Sequence, residues 1–543
     1  MRHQALSREG RPLVAALLGS TLTAICAAVW LLSPNFAAKF GPLDDSEILS
    51  WLGGSNRLPI TEYFTTLVQE TEVGRFGDYA RFRPAIYAVK VLETVIAGNN
   101  VQLHYSFVVI SFGVTTILLG LSTAWWLYAA VRINRVPWSS VFAGLTSVVT
   151  TLLFVGLASW SDIATRLGPS ERLAAFGLAL ATLSLTALVF RGRPAWWVGA
   201  IVGVSLAVLS KENFLMLSAA PLVVAVYRWK VRSDSRAVLF AAALGLIPAI
   251  VLVIALAPTL GTGSDIYGGS TGVSRIGATL TSLFVTYRWY WLPSALILVV
   301  SWLVWALVRG IRGRPDSILA GALIALAFLW RAFDAWIYSV HGYVYPRYEL
   351  VPQLFRALAV LAAVSFALGA LTRARTQATK AIASFALIGA LAMTILTLRS
   401  VPSSLELIRQ NALANQRATV AYGQALDRVS SLASQSPQRA IAIVARAPID
   451  AVESVKSVAL ELERRNPNLN VVVLPDLPND QIRSPLGIGL SELAKNGDPN
   501  LHLESIRAID PIEGLICAVI NDSMTGIADC EPGYVVEIPV RYI

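Results

Sequence analysis

Charged residues are scarce in this chain: 14% of its 543 positions, against 55% that are hydrophobic. A soluble chain of this length needs more charge to cover its surface, so the composition excludes an ordinary soluble protein and indicates a polytopic membrane protein. Cysteine is scarce too, with three in all. Cys26 falls in the first apolar run; Cys517 and Cys530 fall near the C-terminus, where they read either as a disulfide or as two free thiols. Their spacing is not that of a metal-ligand set. The chain also lacks a Gly-rich phosphate loop and internal repeats. No small-residue cleavage site follows the first apolar run, which has Arg2, Arg8 and Arg11 before it. That run therefore reads as a retained helix and not as a removed signal peptide.

Long apolar runs are what the chain has in excess. A spanning helix needs about 20 largely apolar residues, and by that criterion about eleven runs qualify. They lie near 12–32, 104–131, 139–160, 172–190, 195–210, 213–228, 237–257, 289–308, 317–337, 350–371 and 381–399. The fifth and sixth are short and flank Lys211-Glu212, the pattern of broken helices. With the N-terminus in the cytoplasm, the loops Arg132–Arg135, Arg191–Arg193, Arg228–Arg236, Arg309–Arg314 and Arg373–Lys380 are all cytoplasmic, short and basic. The opposite loops collect the acids: Asp44, Asp45, Glu47, Glu62, Glu70, Glu72, Asp78, Asp162, Glu171, Glu212, Asp265 and Glu349. This asymmetry is what orientation in a bilayer requires. It also accounts for the net charge of +10 without nucleic acid. The 15 Trp and 16 Tyr, many beside apolar runs, suit an interfacial belt.

After Arg399 the pattern changes. Ser404–Ser436 reads as helix, 440–445 as a buried strand, Ile449–Arg465 as helix, and 470–474, 515–520 and 534–542 as further strands. The expectation is a membrane domain over 1–400, with a long first outer loop at 33–100, and an extracytoplasmic α/β domain over 401–543.

Charge kept beside a membrane core is a functional candidate by default, and five outer-face clusters qualify. Asp44-Asp45 follows the first run; a carboxylate there would serve as a general base, or Asp45 or Ser46 would cap a short helix. Arg81 and Arg83 suit a lipid phosphate or a headgroup, since the guanidinium fork binds oxyanions bidentately. Asp162 stands in the loop after the third run, whereas Glu171 reads as part of a helix start. Lys211 reads as a phosphate ligand, with Glu212 as its orienting partner or as a binder of sugar hydroxyls; the alternative is a structural pair. Adjacent helical residues, however, do not face each other. In the His341–Glu349 stretch, His341, Tyr345, Arg347 and Tyr348 suit sugar stacking and phosphate binding, or an interfacial aromatic loop; Arg331 and Asp334 precede it.

In this order the residues resemble the GT-C superfamily of polyprenyl-phosphate-sugar-dependent glycosyltransferases, nearest to the protein O-mannosyltransferase-like branch. The motifs are the early acidic pair, Phe82-Arg83-Pro84, Asn99-Asn100-Val101-Gln102-Leu103-His104, and Ser210-Lys211-Glu212. They cover roughly the first 230 residues by motif and the first 400 by architecture. The resemblance implies inverting transfer from a lipid-linked monosaccharide, with Asp44 or Asp45 as base and Lys211 on the donor phosphate. Tetratricopeptide repeats are missing and the third-to-fourth loop departs from the pattern, so protein mannosylation is not supported. The implied partners are a polyprenyl-phosphate sugar donor, a glycan, glycolipid or protein acceptor, and membrane lipid. A divalent cation is compatible with Asp44, Asp45 and Asp162 but not required. Two competing readings are a polysaccharide ligase or polymerase and a transporter or flippase; the missing repeat and the position of the charges at span ends count against the second.

Overall fold

The computed structural model describes residues 2–42, 45–76, 81–132, 140–190, 193–232, 239, 242–261, 273–286, 288–310, 314–338, 345–439, 441–445, 451–465, 471–475, 502–503, 516–520 and 532–539. Among them, eight helices are long and apolar enough to cross a membrane. The chain is thus an integral membrane protein, with a small α/β unit at its C-terminal end.

Three of the eleven expected spans form short helices: Ser140–Val155 and Leu244–Pro258, which were expected to be longer, and Ala195–Val208, which was expected to be short. Helices of that size reach roughly 21–24 Å, less than the ~30 Å hydrocarbon core. A fourth short apolar helix, Arg275–Val285, was not expected. The Ala195–Val208 helix ends because the backbone turns extended at Lys211 (φ −156°, ψ 125°) before a 3-10 helix over Glu212–Ala219. Broken backbone at membrane depth survives only where protein satisfies it. Here the amide of Ala85 donates to the freed carbonyl of Leu209 at 3.0 Å.

The Glu171–Phe190 and Ala195–Val208 helices touch backbone to backbone. A Cβ on Gly177 would lie 2.5 Å from the carbonyl of Gly203, and one on Gly203 would lie 2.7 Å from that of Gly177. Close approach through small residues is how apolar helices gain contact where lipid offers no hydrophobic drive.

The Gln377–Arg399 span runs almost directly into a second helix, Val401–Gln435. Its buried positions, Val401, Ile408, Ala412, Asn415, Thr419, Tyr422, Leu426, Val429 and Ala433, step by three, four or seven residues and form one stripe. Ile408 belongs to the core of the bundle, while Tyr422, Leu426, Val429 and Ala433 belong to the core of the sheet. One rod therefore joins the two parts.

The sheet has five parallel strands in the order β3-β2-β1-β4-β5: β1 Ile441–Ala445, β2 Val471–Pro475, β3 His502–Leu503, β4 Ile516–Ile520 and β5 Val535–Ile538. The β4 strand is buried at every position, the expected state of a parallel strand covered on both faces. The helix Ala451–Arg465 packs on the Ser46–Leu52 helix of the first loop, so the sheet unit lies against that loop. Cys517 on β4 is disulfide-bonded and Cys26 is free; Cys530 lies outside the described residues.

Candidate functional site

The first long loop folds back over one end of the bundle. Asp45 sits immediately before the Ser46–Leu52 helix, but its side chain does not cap it. Instead Asp45 Oδ2 accepts the amide of Gly41 at 2.7 Å, and the residue is almost fully buried. Its backbone is already helical (φ −81°, ψ −15°), unlike the extended geometry usual for a cap. The capping alternative for Asp45 is thereby ruled out. The loop is pinned by the Val401–Gln435 helix, where Thr419 Oγ1 accepts the amide of Lys39 at 3.0 Å; Asn415 Nδ2 of the same helix donates to Tyr105 Oη, in the Val101–Arg132 helix, at 2.9 Å. Tyr105 lies within electrostatic reach of both Asp45 and Arg166.

Asp162 takes up the chain of contacts. Its Oδ1 accepts from Arg166 Nε at 3.0 Å and Nη2 at 2.6 Å, and its Oδ2 faces Arg347 Nε at 3.8 Å. Arg347 lies over the rings of Tyr345 and Tyr348, at 5.0 and 5.3 Å. Lys211 Nζ stands 5.4 Å from the Tyr348 ring centre, and Tyr348 stacks on Tyr338 at 4.7 Å.

Lys211 and Glu212 do not pair with each other. Lys211 Nζ pairs with Glu171 Oε1 at 2.7 Å, and Glu212 binds Arg83 bidentately at 2.8 and 3.1 Å. This corrects the expectation that Glu212 orients Lys211. Glu171 opens the Glu171–Phe190 helix as expected, and its carboxylate in addition pairs with Lys211, within electrostatic reach of Arg347 and Arg83. Arg83, Asp162, Lys211, Glu212, Arg347, Tyr345 and Tyr348 are thus brought into one network, while Asp45 and Arg166, the partner of Asp162, both lie within electrostatic reach of Tyr105. Asp44 and His341 lie outside the described residues.

Glu72 is a residue that sequence reasoning passed over. It lies in the same loop, within electrostatic reach of Arg83, Glu212, Arg81 and Glu47, and its Oε2 is buried without a hydrogen-bond partner. Burial raises its pKa above the ordinary 4.5, against the pull of Arg83 and Arg81. No local signal marks it; only the fold brings it beside the arginines. Arg81 therefore enters the site beside Glu72.

Other charges near the site serve as struts. Lys90 and Tyr87 bind Glu47 at 2.9 and 3.1 Å, and Arg172 binds Glu93 at 2.8 Å. Deeper, Asp334 accepts from Asn213 Nδ2 at 2.9 Å and pairs with Arg331 at 3.2 Å. The Asn-Asn…His element is structural in its contacts. Asn100 Oδ1 accepts the amide of Leu103, Asn99 Nδ2 donates to Asn56, and buried His104 Nε2 meets the carbonyl of Gly98 at 2.9 Å. That carbonyl belongs to a left-handed Gly98 (φ 56°), where a Cβ would lie 2.4 Å from the carbonyl oxygen of Asn56. Among the described residues no three His, Cys, Asp or Glu side chains are grouped to hold a metal ion.

Chemically, the cluster offers three cations that can exchange a carboxylate for a phosphate (Arg83, Lys211 and Arg347) and aromatic rings beside Lys211 and Arg347. No family model matches the chain, and no curated protein matches it. Among solved structures, "Crystal Structure of ArnT from Cupriavidus metallidurans in the apo state" is similar at 14% identity with a TM-score of 0.41, over 89% of this chain and 88% of that one. At that identity and TM-score the likeness carries no argument about this chain.

Proposed function

We propose that the chain is a membrane glycosyltransferase of the GT-C kind. It moves a monosaccharide from a polyprenyl-phosphate donor to a hydroxyl of a glycan, glycolipid or protein at the outer face of the membrane. In this reading the N-terminus is cytoplasmic and the C-terminal unit extracytoplasmic. The observation that carries the reading is the meeting of Lys211 and Arg347, each held by a carboxylate, at the Tyr348 ring, with Arg83 within electrostatic reach of the same Glu171 that holds Lys211.

The reaction is a single displacement. The base takes the acceptor's proton as its oxygen attacks the anomeric carbon from the face opposite the phosphate. The carbon–oxygen bond to the phosphate breaks, the configuration inverts, and the negative charge passes to the lipid phosphate. Lys211, Arg347 and Arg83 receive that charge, a stabilisation that is strong where water is excluded. The tyrosines stack on the sugar. Asp45 is the base, with Asp44 as its alternate; Arg81, Glu212 and His341 complete the donor site.

The test uses the full chain in lipid nanodiscs with radiolabelled polyprenyl-phosphate sugars. Asp45→Asn is expected to bind donor normally but to transfer about 10²–10⁴-fold more slowly, while Lys211→Ala loses donor binding. Wild-type transfer in both Asp44→Asn and Asp45→Asn would overturn the base assignment. If no lipid-linked sugar is ever bound or consumed, the transferase reading itself fails.

A further inference from the structure

Within the bundle lies a cavity of about 420 Å³. Trp126, Leu323, Ala327, Trp330, Phe355 and Ala362 form its apolar walls. It is long. Asp316 and Trp330 on one helix both line it, as do Phe355 and Gly369 on another. Each pair is about 21 Å apart along its helix, so the cavity runs through most of the ~30 Å hydrocarbon layer.

Its end is charged. Arg309, Asp316 and Arg373 line it there. The Leu350–Leu371 helix begins beside Arg347 and ends beside Arg373, about 33 Å away. The two charged regions therefore face opposite membrane surfaces, and this one is not part of the transferase cluster. Asp316 is fully engaged: Oδ2 pairs with Arg309 at 2.5 Å, and Oδ1 accepts from Tyr227 Oη at 2.5 Å. Arg309 is also seated over the Trp305 ring at 4.8 Å. The Arg373 side chain has no hydrogen-bond or ion-pair partner among the described residues, although the residue is half-buried. Burial and the neighbouring Arg309 act against its charged form, and Asp316 favours it. Two arginines against one carboxylate leave a positive excess at the mouth of an apolar tunnel, and the short loops at this end are basic as well. An anion attached to a hydrocarbon chain matches both parts: phosphate to arginine, chain to tunnel.

We propose that this cavity binds an anionic phospholipid from the leaflet on the arginine-rich side. Its phosphate sits on Arg373 and Arg309, and one acyl chain lies along Trp126, Leu323 and Phe355. The inference rests on the membrane fold and is independent of the transferase reading.

The experiment uses the full-length protein in neutral detergent, with phosphatidylglycerol and phosphatidylcholine added separately and bound lipid counted by native mass spectrometry. Phosphatidylglycerol is expected to remain bound and phosphatidylcholine to be lost. Arg373→Ala should weaken phosphatidylglycerol binding about fivefold, the loss of one basic contact. Ala362→Trp, which fills the tunnel, should abolish retention. Leu323→Phe is the milder substitution if Ala362→Trp does not fold. Equal retention of the two lipids would overturn the proposal, as would wild-type binding by both Arg373→Ala and the tunnel-filling variant. Stronger, Arg373-dependent retention of a polyprenyl phosphate that displaces phosphatidylglycerol would also overturn it, because the tunnel would then belong to an isoprenoid.

Discussion

Lys211 Nζ lies 2.7 Å from Glu171 Oε1, and both side chains are more than nine-tenths buried. The pair ties the break after the Ala195–Val208 helix to the first turn of the Glu171–Phe190 helix. Taking two charges out of water costs several kcal/mol per ion in typical proteins, repaid only while both partners remain. A donor phosphate would relieve Lys211 of that dependence by offering a second anion.

Glu171→Gln should therefore destabilise the protein by about 3–5 kcal/mol, because it strands a buried ammonium. The double variant Glu171→Leu/Lys211→Met should recover most of that loss while remaining unable to bind donor. Thermal unfolding in detergent, run beside a donor-binding assay, separates the two effects.

Asp162 holds Arg347 and Arg166, and in the proposed reaction it positions Arg347 and does not act as the base. Asp162→Asn is expected to raise the donor KM roughly tenfold with little change in kcat, the order of one misplaced charged hydrogen bond. A fall in kcat at unchanged KM would instead make Asp162 a rival to Asp45 as base.

Glu72 ties stability to pH. Its folded pKa is raised above the ordinary 4.5 by burial. The favourable contribution of the protonated form is complete below the ordinary carboxylate range and is lost as pH rises through the raised value. Glu72→Gln should thus match the wild type at acid pH and become progressively more stable than it toward neutrality. Unfolding midpoints measured across pH in detergent check the sign; a wild type that gains on the variant as pH rises would contradict it.

Glycine substitutions separate contact from propensity. Gly177→Ala puts a methyl group against the backbone of Gly203 and Ala207, both at 2.5 Å, and should cost about 1–3 kcal/mol as overpacking. Gly113→Ala, in the Val101–Arg132 helix, meets nothing within 4 Å and should be neutral or gain up to about 1 kcal/mol.

The cysteines report redox compartment. With Cys517 bonded and Cys26 free, unreduced and denatured protein should yield one alkylated thiol, at Cys26. Three alkylated thiols would remove the support for an extracytoplasmic C-terminal unit.

Much of the fold was legible because it depends on local pattern. Hydropathy located every long span, and alternation with turns located the helix at Ser404–Ser436 and the strands at 440–445, 470–474 and 515–520, since burial of one face imposes a period that neighbouring residues display. The alternation of basic and acidic loops also assigned Asp45, Arg83, Asp162, Lys211 and Arg347 to one face before any contact was known. What the sequence left open is which of those charges meet. Lys211 and Glu212 are adjacent, yet the extended backbone at Lys211 sends them to different partners, Glu171 and Arg83. Asp45 had the position of a helix cap, but the fold turns its carboxylate to Gly41. Glu72 looked like any loop acid until the chain folded it beside Arg83. The sequence by itself determined the spans and their charged ends, because hydrophobicity and bilayer charge bias act residue by residue. Only the tertiary structure decided the pairings. An ion pair between residues far apart in the chain depends on where helices cross and where one of them breaks, and no short window of sequence records that geometry.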